Sequence, residues 1–355
     1  MKLNWMKLKK YRILLLILAA LLVLAAVFAG RLSWLSSRLD SQEMASRWAG
    51  ETDLSFAQVS VFFPVDQPGS LDQVRSFRAT LPDKLIAAGL EPTEENRLWA
   101  DAYSTQTKLT AQTDYGEGEA TVYAVGGDFF RFHPLKLVSG SYFTDEDFMD
   151  DLILLDEDMA WKLYGGMDLT GKAVTISGKL FTICGVVERE TDFATELADT
   201  AGGRIYMSYS AYAALQGGET APGFQYYELV MADPVQNFTR GTVTETFSED
   251  THVVVENSSR FTWERILGVL GDFGQRSMVK QGVAYPYWEN AARLIEDHMA
   301  LFLLLFILCI IPPCIAAVAF GIYWLIRGWK KLKSQIPVWI ERRRERRYRG
   351  KHEAP

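Results

Sequence analysis

The stretch Ile153–Glu188, ILLDEDMAWKLYGGMDLTGKAVTISGKLFTICGVVE, decides how this chain is read. Leu152–Leu155 is a short apolar run of strand character. Asp156 is placed to cap a helix over the following residues, and Gly165-Gly166 stops it. From Lys172 the apolar residues alternate, with Ser177-Gly178 as a turn, which predicts a hairpin. Inside the stretch, Gly166-x-x-x-x-Gly171-Lys172 approaches a phosphate-binding loop, but Ala173 stands where a Ser or Thr hydroxyl should reach a magnesium ion. The order is helix, loop, strand. A phosphate cradle needs a strand before the loop and a helix N-terminus after it, so the stretch predicts a structural turn and not a nucleotide site.

The 355 residues suffice for one or two domains with a real core. Two apolar runs flank the middle, Ile13–Gly30 and Met299–Ile326, each long enough to cross a hydrocarbon layer of about 30 Å. Val27-x-Ala29 offers a signal-peptide cleavage site, yet the first run exceeds the usual ~7–15 residues of such a segment, which favours a retained anchor. Residues 1–12 hold five basic residues and no acid, and residues 327–355 hold 11 basic and three acidic ones. Between them lie 21 basic and 41 acidic residues. The positive-inside rule therefore predicts a two-pass cell-membrane protein with both termini cytoplasmic and residues 31–298 outside. Neither apolar run contains a charged residue that would mark an ion path. Pro312-Pro313 predicts a kink in the second span, static or hinge-like. Of the three cysteines only Cys184 lies outside, so no disulfide framework is expected.

Along the middle, RLSWLSSRLDSQEMASRW (31–48) reads either as a helical stalk or as a polar linker. LSFAQVSVFFP predicts a core strand through Phe56, Val59, Val61 and Phe63. Ser70-x-x-Gln73 is a capping box opening a helix with Leu71, Val74, Phe77, Leu81 and Leu85 on one face. Pro82 predicts a kink there, or two short helices. Residues 98–125 predict strands around the hairpin TDYGEGEA. Later segments alternate strand and helix, Asp233 caps one of the helices, and Gly282 and Pro286 mark a break before the second span.

The stretch AVGGDFFRFHPLKLVSGSYFTDED, Ala124–Asp147, followed by the decisive one, resembles the MacB-like periplasmic core domain of ABC-transporter permeases, the FtsX-like permease family. The residues that carry the resemblance are Phe129, Phe130, Gly140, Phe143, Ala160, Leu163, Gly165, Asp168, Gly171, Lys172, Val174, Ile176, Gly185 and Val186. It implies an α+β, two-lobed extracytoplasmic domain between two transmembrane helices. Residues 51–105 and 205–260 would form a βαβ-type lobe, and about 106–204 an inserted mixed α/β lobe. It implies a separate ABC ATPase and permease subunit as partners, in a homo- or hetero-oligomer. Such permeases have four spans, whereas two apolar runs occur here.

Other constellations point away from chemistry. Asp145, Glu146, Asp147, Asp150, Asp151, Asp156, Glu157 and Asp158 lack calcium-loop spacing and read as a solvated rim. His133, His252 and His298 make no zinc-type pair. No catalytic residue, metal or cofactor is expected. Asn237 and Asn257 head glycosylation sequons that read as chance matches. The tail, with Arg342, Arg343, Arg344, Arg346 and Arg347 as its densest charge, suits anionic lipid or a cytoplasmic ATPase, and its tethering at a membrane argues against nucleic acid. The expected function is a non-enzymatic membrane subunit or accessory of an ABC-transporter-type system. The alternative is a stand-alone extracytoplasmic binding or sensing module.

Overall fold

The computed structural model describes residues 5–37, 39–91, 97–144, 151–199, 202–217, 222–272, 279–280 and 282–352. They fall into two compact units, one of Trp34–Ala300 and one of Met1–Ser33 with Leu301–Pro355.

α1 (Trp5–Ser36) carries the first apolar run six residues past Gly30. A 3-10 turn at Asp40–Gln42 and the short α2 (Met44–Ala49) follow, so residues 31–48 are not one stalk. Burial of Met44 and Ala45 lays α2 on the domain. β1 (Phe56–Phe62) leads to α3 (Leu71–Ala87), where Ser70 and Gln73 form both bonds of the capping box. The helix runs through Pro82 as one element, so the alternative of two short helices does not form. Its stripe of Val74, Phe77, Leu81 and Leu85 is buried on both sides of the proline, and that packing outweighs one missing N–H donor.

β2 (Trp99–Gln112) and β3 (Glu117–Gly127) form the expected hairpin, followed by α4 (Phe129–Phe132) and β4 (Leu137–Gly140). Then come β5 (Leu152–Asp156), α5 (Glu157–Tyr164), β6 (Ala173–Ile176) and β7 (Lys179–Val187), in the order the sequence predicts. α6 (Phe193–Ala198), β8 (Arg204–Ser208), α7 (Tyr209–Gln216), β9 (Tyr226–Ala232), α8 (Phe238–Thr246) and β10 (Val253–Glu256) continue the alternation. Asp233 accepts a hydrogen bond from the Thr239 N–H in the first turn of α8, although Asn237 holds the capping position. α9 (Trp263–Asp272), β11 (Val279–Lys280), β12 (Val283–Ala284) and α10 (Tyr287–His352) complete the chain. α10 passes through Pro312, Pro313 and Pro337 as one helix.

The larger unit is an α+β domain on one 10-stranded sheet in the order β10-β1-β9-β2-β3-β8-β5-β7-β4, with β6 pairing both β2 and β7. Most neighbours are antiparallel; β3–β8 and β5–β7 are parallel. Each strand sends alternate side chains to opposite faces, and both faces are covered. On one face Val61, Leu229, Met231, Ile153 and Ile205 pack with Phe77 and Leu81 of α3, Met159 and Leu163 of α5 and Val243 of α8. On the other, Phe62, Tyr226, Val230, Tyr123 and Tyr206 pack with Met44 of α2, Phe129 and Phe132 of α4 and Trp288 of α10. Within the helical unit, the Phe28 and Phe302 rings lie 6.0 Å apart and Ala25 is buried.

Candidate functional site

The residues singled out in the sequence separate into two places. Gly165 ends α5 in the left-handed conformation (φ 67°), its N–H donating to the Trp161 carbonyl. Gly171 follows at φ 81°, its N–H donating 2.8 Å to Ile183, while the Ile183 N–H donates 2.8 Å to Lys172. The DLTGK segment is thus stitched to β7 as a turn, and the N–H groups of Gly171 and Lys172 both donate to protein carbonyls. Lys172 is exposed and lies 5.1 Å from the Tyr164 ring centroid. Lys172→Ala is therefore expected to change stability by well under about 1 kcal/mol. Gly171→Val should be worse, because φ is positive there. ATP binding that disappears in Lys172→Ala, measured by titration on the purified chain, would overturn this reading.

The other motif residues converge. Gly140 and Gly185 are register partners in the β4–β7 pair. Beyond them the Phe130 ring stacks 4.8 Å from Tyr142 and meets Phe143 edge-on at 5.2 Å. Phe129 meets Trp288 edge-on at 5.9 Å. Of the motif aromatics, Phe129 therefore lies against the first turn of α10.

That root of α10 is held by buried polar groups. Arg260 grips Glu289 with two bonds of 2.7 and 2.8 Å and Glu296 with a third of 2.7 Å; all three residues are buried. Arg293 donates to the same Glu289 at 2.9 Å and lies 3.6 Å over the Tyr285 ring. Burial alone would lower the Arg260 pKa, but the flanking carboxylates of Glu289 and Glu296 raise it above the ordinary value. Arg204, also buried, pairs with Glu190 and Asp199 and lies 3.7 Å over the Tyr287 ring. His133 Nε2 is 2.6 Å from Glu228 Oε2, and its ring lies 4.4 Å from that of Trp288. Burial raises the pKa of the Tyr123, Tyr206, Tyr226 and Tyr287 phenols, so they stay neutral.

Beside this cluster lies a cleft of about 590 Å³ between β10, α9 and α10, lined by Glu256, Glu264, Arg265, Glu289, Arg293 and Glu296 among others. Its guanidinium groups are already paired with carboxylates. Such an arrangement fixes a helix in place; it presents no activated nucleophile. Among the described residues no group of three or more His, Cys, Asp or Glu is placed to hold a metal.

In the acidic run, Asp145, Glu146, Asp147 and Asp150 lie outside the described residues. Asp158 pairs with Arg189 at 2.7 Å, and Asp156 caps α5 by accepting from Met159 at 2.8 Å. Burial pushes the Asp156 carboxyl up to about 6, against hydrogen bonds from the Arg204 and Met159 backbone that pull it down. A carboxyl raised in the folded state stabilises the fold below its unfolded value of 3.8 and loses that contribution as pH rises through about 6. The loss is about 3 kcal/mol at ~1.36 kcal/mol per unit. Wild type should thus lose stability relative to Asp156→Asn between about pH 4 and pH 7; parallel melting profiles over that range would refute the assignment. Asn257 is buried and donates 2.8 Å to Ser60 Oγ, which removes it as a glycan acceptor in the folded chain. Arg342, Arg343, Arg344, Arg346 and Arg347 fall on the last turns of α10, and their side chains lie outside the described residues.

Sequence reasoning did not find Arg204, Arg260, Glu289 or Glu296. Their partners lie as much as 218 residues apart along the chain, and each reads as an ordinary surface charge.

Comparison with known proteins follows the same lines. The chain is 26% identical over 153 residues to the macrolide export ATP-binding/permease protein MacB of Chromobacterium violaceum, a stretch covering 42% of this chain and 22% of that protein. Among solved structures it is similar to the periplasmic region of MacB from Actinobacillus actinomycetemcomitans, at 15% identity and TM-score 0.40, over 62% of this chain and 94% of that one. It is also similar to the extracellular domain of the noncanonic ABC-type transporter YknZ from Gram-positive bacteria, at 14% identity and TM-score 0.39, over 57% of this chain and 100% of that one. Residues 40–240, more than half of the chain, match the MacB-like periplasmic core domain, and the chain belongs to that family, with a long apolar helix on either side of the domain.

Proposed function

We propose that this chain is a non-enzymatic membrane subunit or accessory of an ABC-transporter-type system, with residues 31–298 outside the cell membrane and both termini in the cytoplasm. In this reading residues 106–204 form an inserted lobe, and the outer domain meets a partner or substrate. α10 conveys mechanical change between that domain and partner chains that hydrolyse ATP. One observation carries the reading: the first turns of α10 are built into the domain by buried ion pairs around Arg260. A helix held in this way moves with the domain, since breaking such pairs is costly. The basic tail would supply the inner contact.

The test is co-purification from native membranes, using the full chain and one lacking residues 341–355. The expected result is recovery of an ATPase and a permease subunit with the full chain. Deletion should weaken that recovery, as raised salt does, because the contact is electrostatic. A full chain that brings down no ATPase at low salt would instead leave a stand-alone extracytoplasmic module.

A further inference from the structure

β10 is the end strand of the sheet and pairs with β1 alone. The Asn257 N–H donates 2.8 Å to the Gln58 carbonyl, so Asn257, Val255 and Val253 turn their backbone groups toward β1. Those of Val254 and Glu256 point the other way and have no partner among the described residues. Edge strands are usually blunted by Pro, a free charge or a bulge. Val253–Glu256 holds three valines and runs against β1 without a shift of register, and its one charge, Glu256, is paired with Arg265 at 3.3 Å. Val254, Val255 and Glu256 line the cleft of about 590 Å³, and α9 stands across it from them.

α9 is seated by buried Ile266, with Val269 and Leu270 half-buried. Toward the cleft it turns Glu264, Gly268 and Asp272, one exposed face at i, i+4 and i+8. The four arginines that line the cleft each have a carboxylate partner, whereas Glu264 and Asp272 form no ion pair among the described residues. The free charge of the cleft is thus negative. The domain's own packing does not require glycine at position 268, since a Cβ there would meet nothing within 4 Å, and glycine weakens a helix interior. Its bare backbone leaves the cleft wider opposite β10. The eight steps from Glu264 to Asp272 rise about 12 Å along the helix. Four residues of extended chain cover roughly 13 Å, and strand residues four apart share a face.

We propose that β10 accepts an extended, basic segment of a partner protein as an added strand. Its backbone would bond Val254 and Glu256 from about 4.8 Å away. Two Lys or Arg side chains four residues apart would meet Glu264 and Asp272. Charge selects this occupant over a second copy, whose β10 would bring Glu256 and no basic residue. The proposal goes beyond the transporter reading and rests on neither the membrane topology nor an ATPase, so the two can fail separately.

The test uses the full chain in detergent micelles and a fluorescein-labelled, end-capped heptapeptide of Val and Thr with Lys at its second and sixth positions. Anisotropy should report binding that added salt weakens. Hydrogen exchange should slow at the Val254 and Glu256 amides and stay unchanged at those of Val253 and Val255. N-methylation of alternate peptide amides should abolish binding in one parity and spare it in the other, because only every second N–H of a strand faces its neighbour. Replacing both Lys by Glu should weaken binding about tenfold or more at low salt. Gly268→Gln leaves β10 untouched and raises helix propensity; it should weaken binding by filling the cleft, with no loss of thermal stability. Equal loss with either methylation parity, equal binding of the Glu peptide, or no binding of the Lys peptide at millimolar concentration would each overturn the proposal. Protection of the Val254 and Glu256 amides without peptide, rising with protein concentration, would mean that a second copy covers the edge, and would overturn it too.

Discussion

Arg260→Met is expected to destabilise the outer domain by about 3–5 kcal/mol, the range found when one partner of a buried ion pair is removed. Arg260 and Arg293 face Glu289 and Glu296, so the cluster holds two guanidinium groups and two carboxylates. Arg260 is 4% exposed and Glu289 1%. Taking away Arg260 leaves a net negative charge on largely buried carboxylates, and the Met side chain replaces the lost volume but none of the three short hydrogen bonds. For a domain of this size the midpoint should fall on the order of 10 °C. Adding Glu296→Gln to Arg260→Met restores charge balance and should recover part of the loss, because Arg293 still holds Glu289. A double-mutant cycle over Arg260 and Glu296 then gives their coupling directly.

The loss should also be local in its first stage. The sheet core made with α3, α5 and α8 lies on the face away from α10, whereas Trp288 and Tyr287 share theirs with it. Hydrogen exchange in Tyr287–Ala300 should therefore rise before exchange in β9 or β2, since sub-global opening follows the weakest packing. An unchanged midpoint, or uniform acceleration across the domain, would show that the cluster is not what fixes the helix, and the mechanical reading would lose its support.

Much of the fold was legible because its signals are local. The Ser70 capping box, the Asp156 cap, the Gly165 stop and the hairpin at Ser177-Gly178 each need only a few neighbouring residues, and each forms as the sequence predicts. The second face of the sheet was not legible. In β1, FAQVSVF alternates as if Gln58 and Ser60 met solvent, yet both are buried. They are covered from outside the strand: Gln58 Oε1 accepts from the Met44 N–H of α2, and Ser60 bonds Glu228 and Asn257. An alternating strand shows which side is apolar; it does not show whether the polar side is wet. The same limit hid the charged root of α10, where burial follows from the meeting of distant segments. At Pro82 the alternative of two short helices failed for the opposite reason, because tertiary packing overrode a local breaker signal.

Gly140→Ala is the second substitution expected to have a large effect, and it separates two reasons for a glycine. Gly140 has φ 77°, and a Cβ there would lie 2.0 Å from the Cys184 carbonyl oxygen and 2.6 Å from the Gly185 Cα. Both obstacles are backbone, so no side chain can rotate away; β4 would have to lift from β7. Gly185 is constrained in return, since its own Cβ would lie 2.7 Å from the Ser139 carbonyl oxygen. Gly171 has nearly the same φ, 81°, but a Cβ there meets nothing within 4 Å. Gly171→Ala should accordingly cost about 1–2 kcal/mol, the penalty of a left-handed conformation alone. Gly140→Ala carries that penalty and the displacement of an edge strand, and should exceed about 4 kcal/mol, a size reserved for such named steric causes. Displacing β4 also loosens Tyr142 and Phe143 from Phe130, so the near-ultraviolet signal of that cluster should weaken in step with stability. Equal losses for the two variants in urea unfolding would mean that the close approach of β4 and β7 is not what selects glycine at position 140.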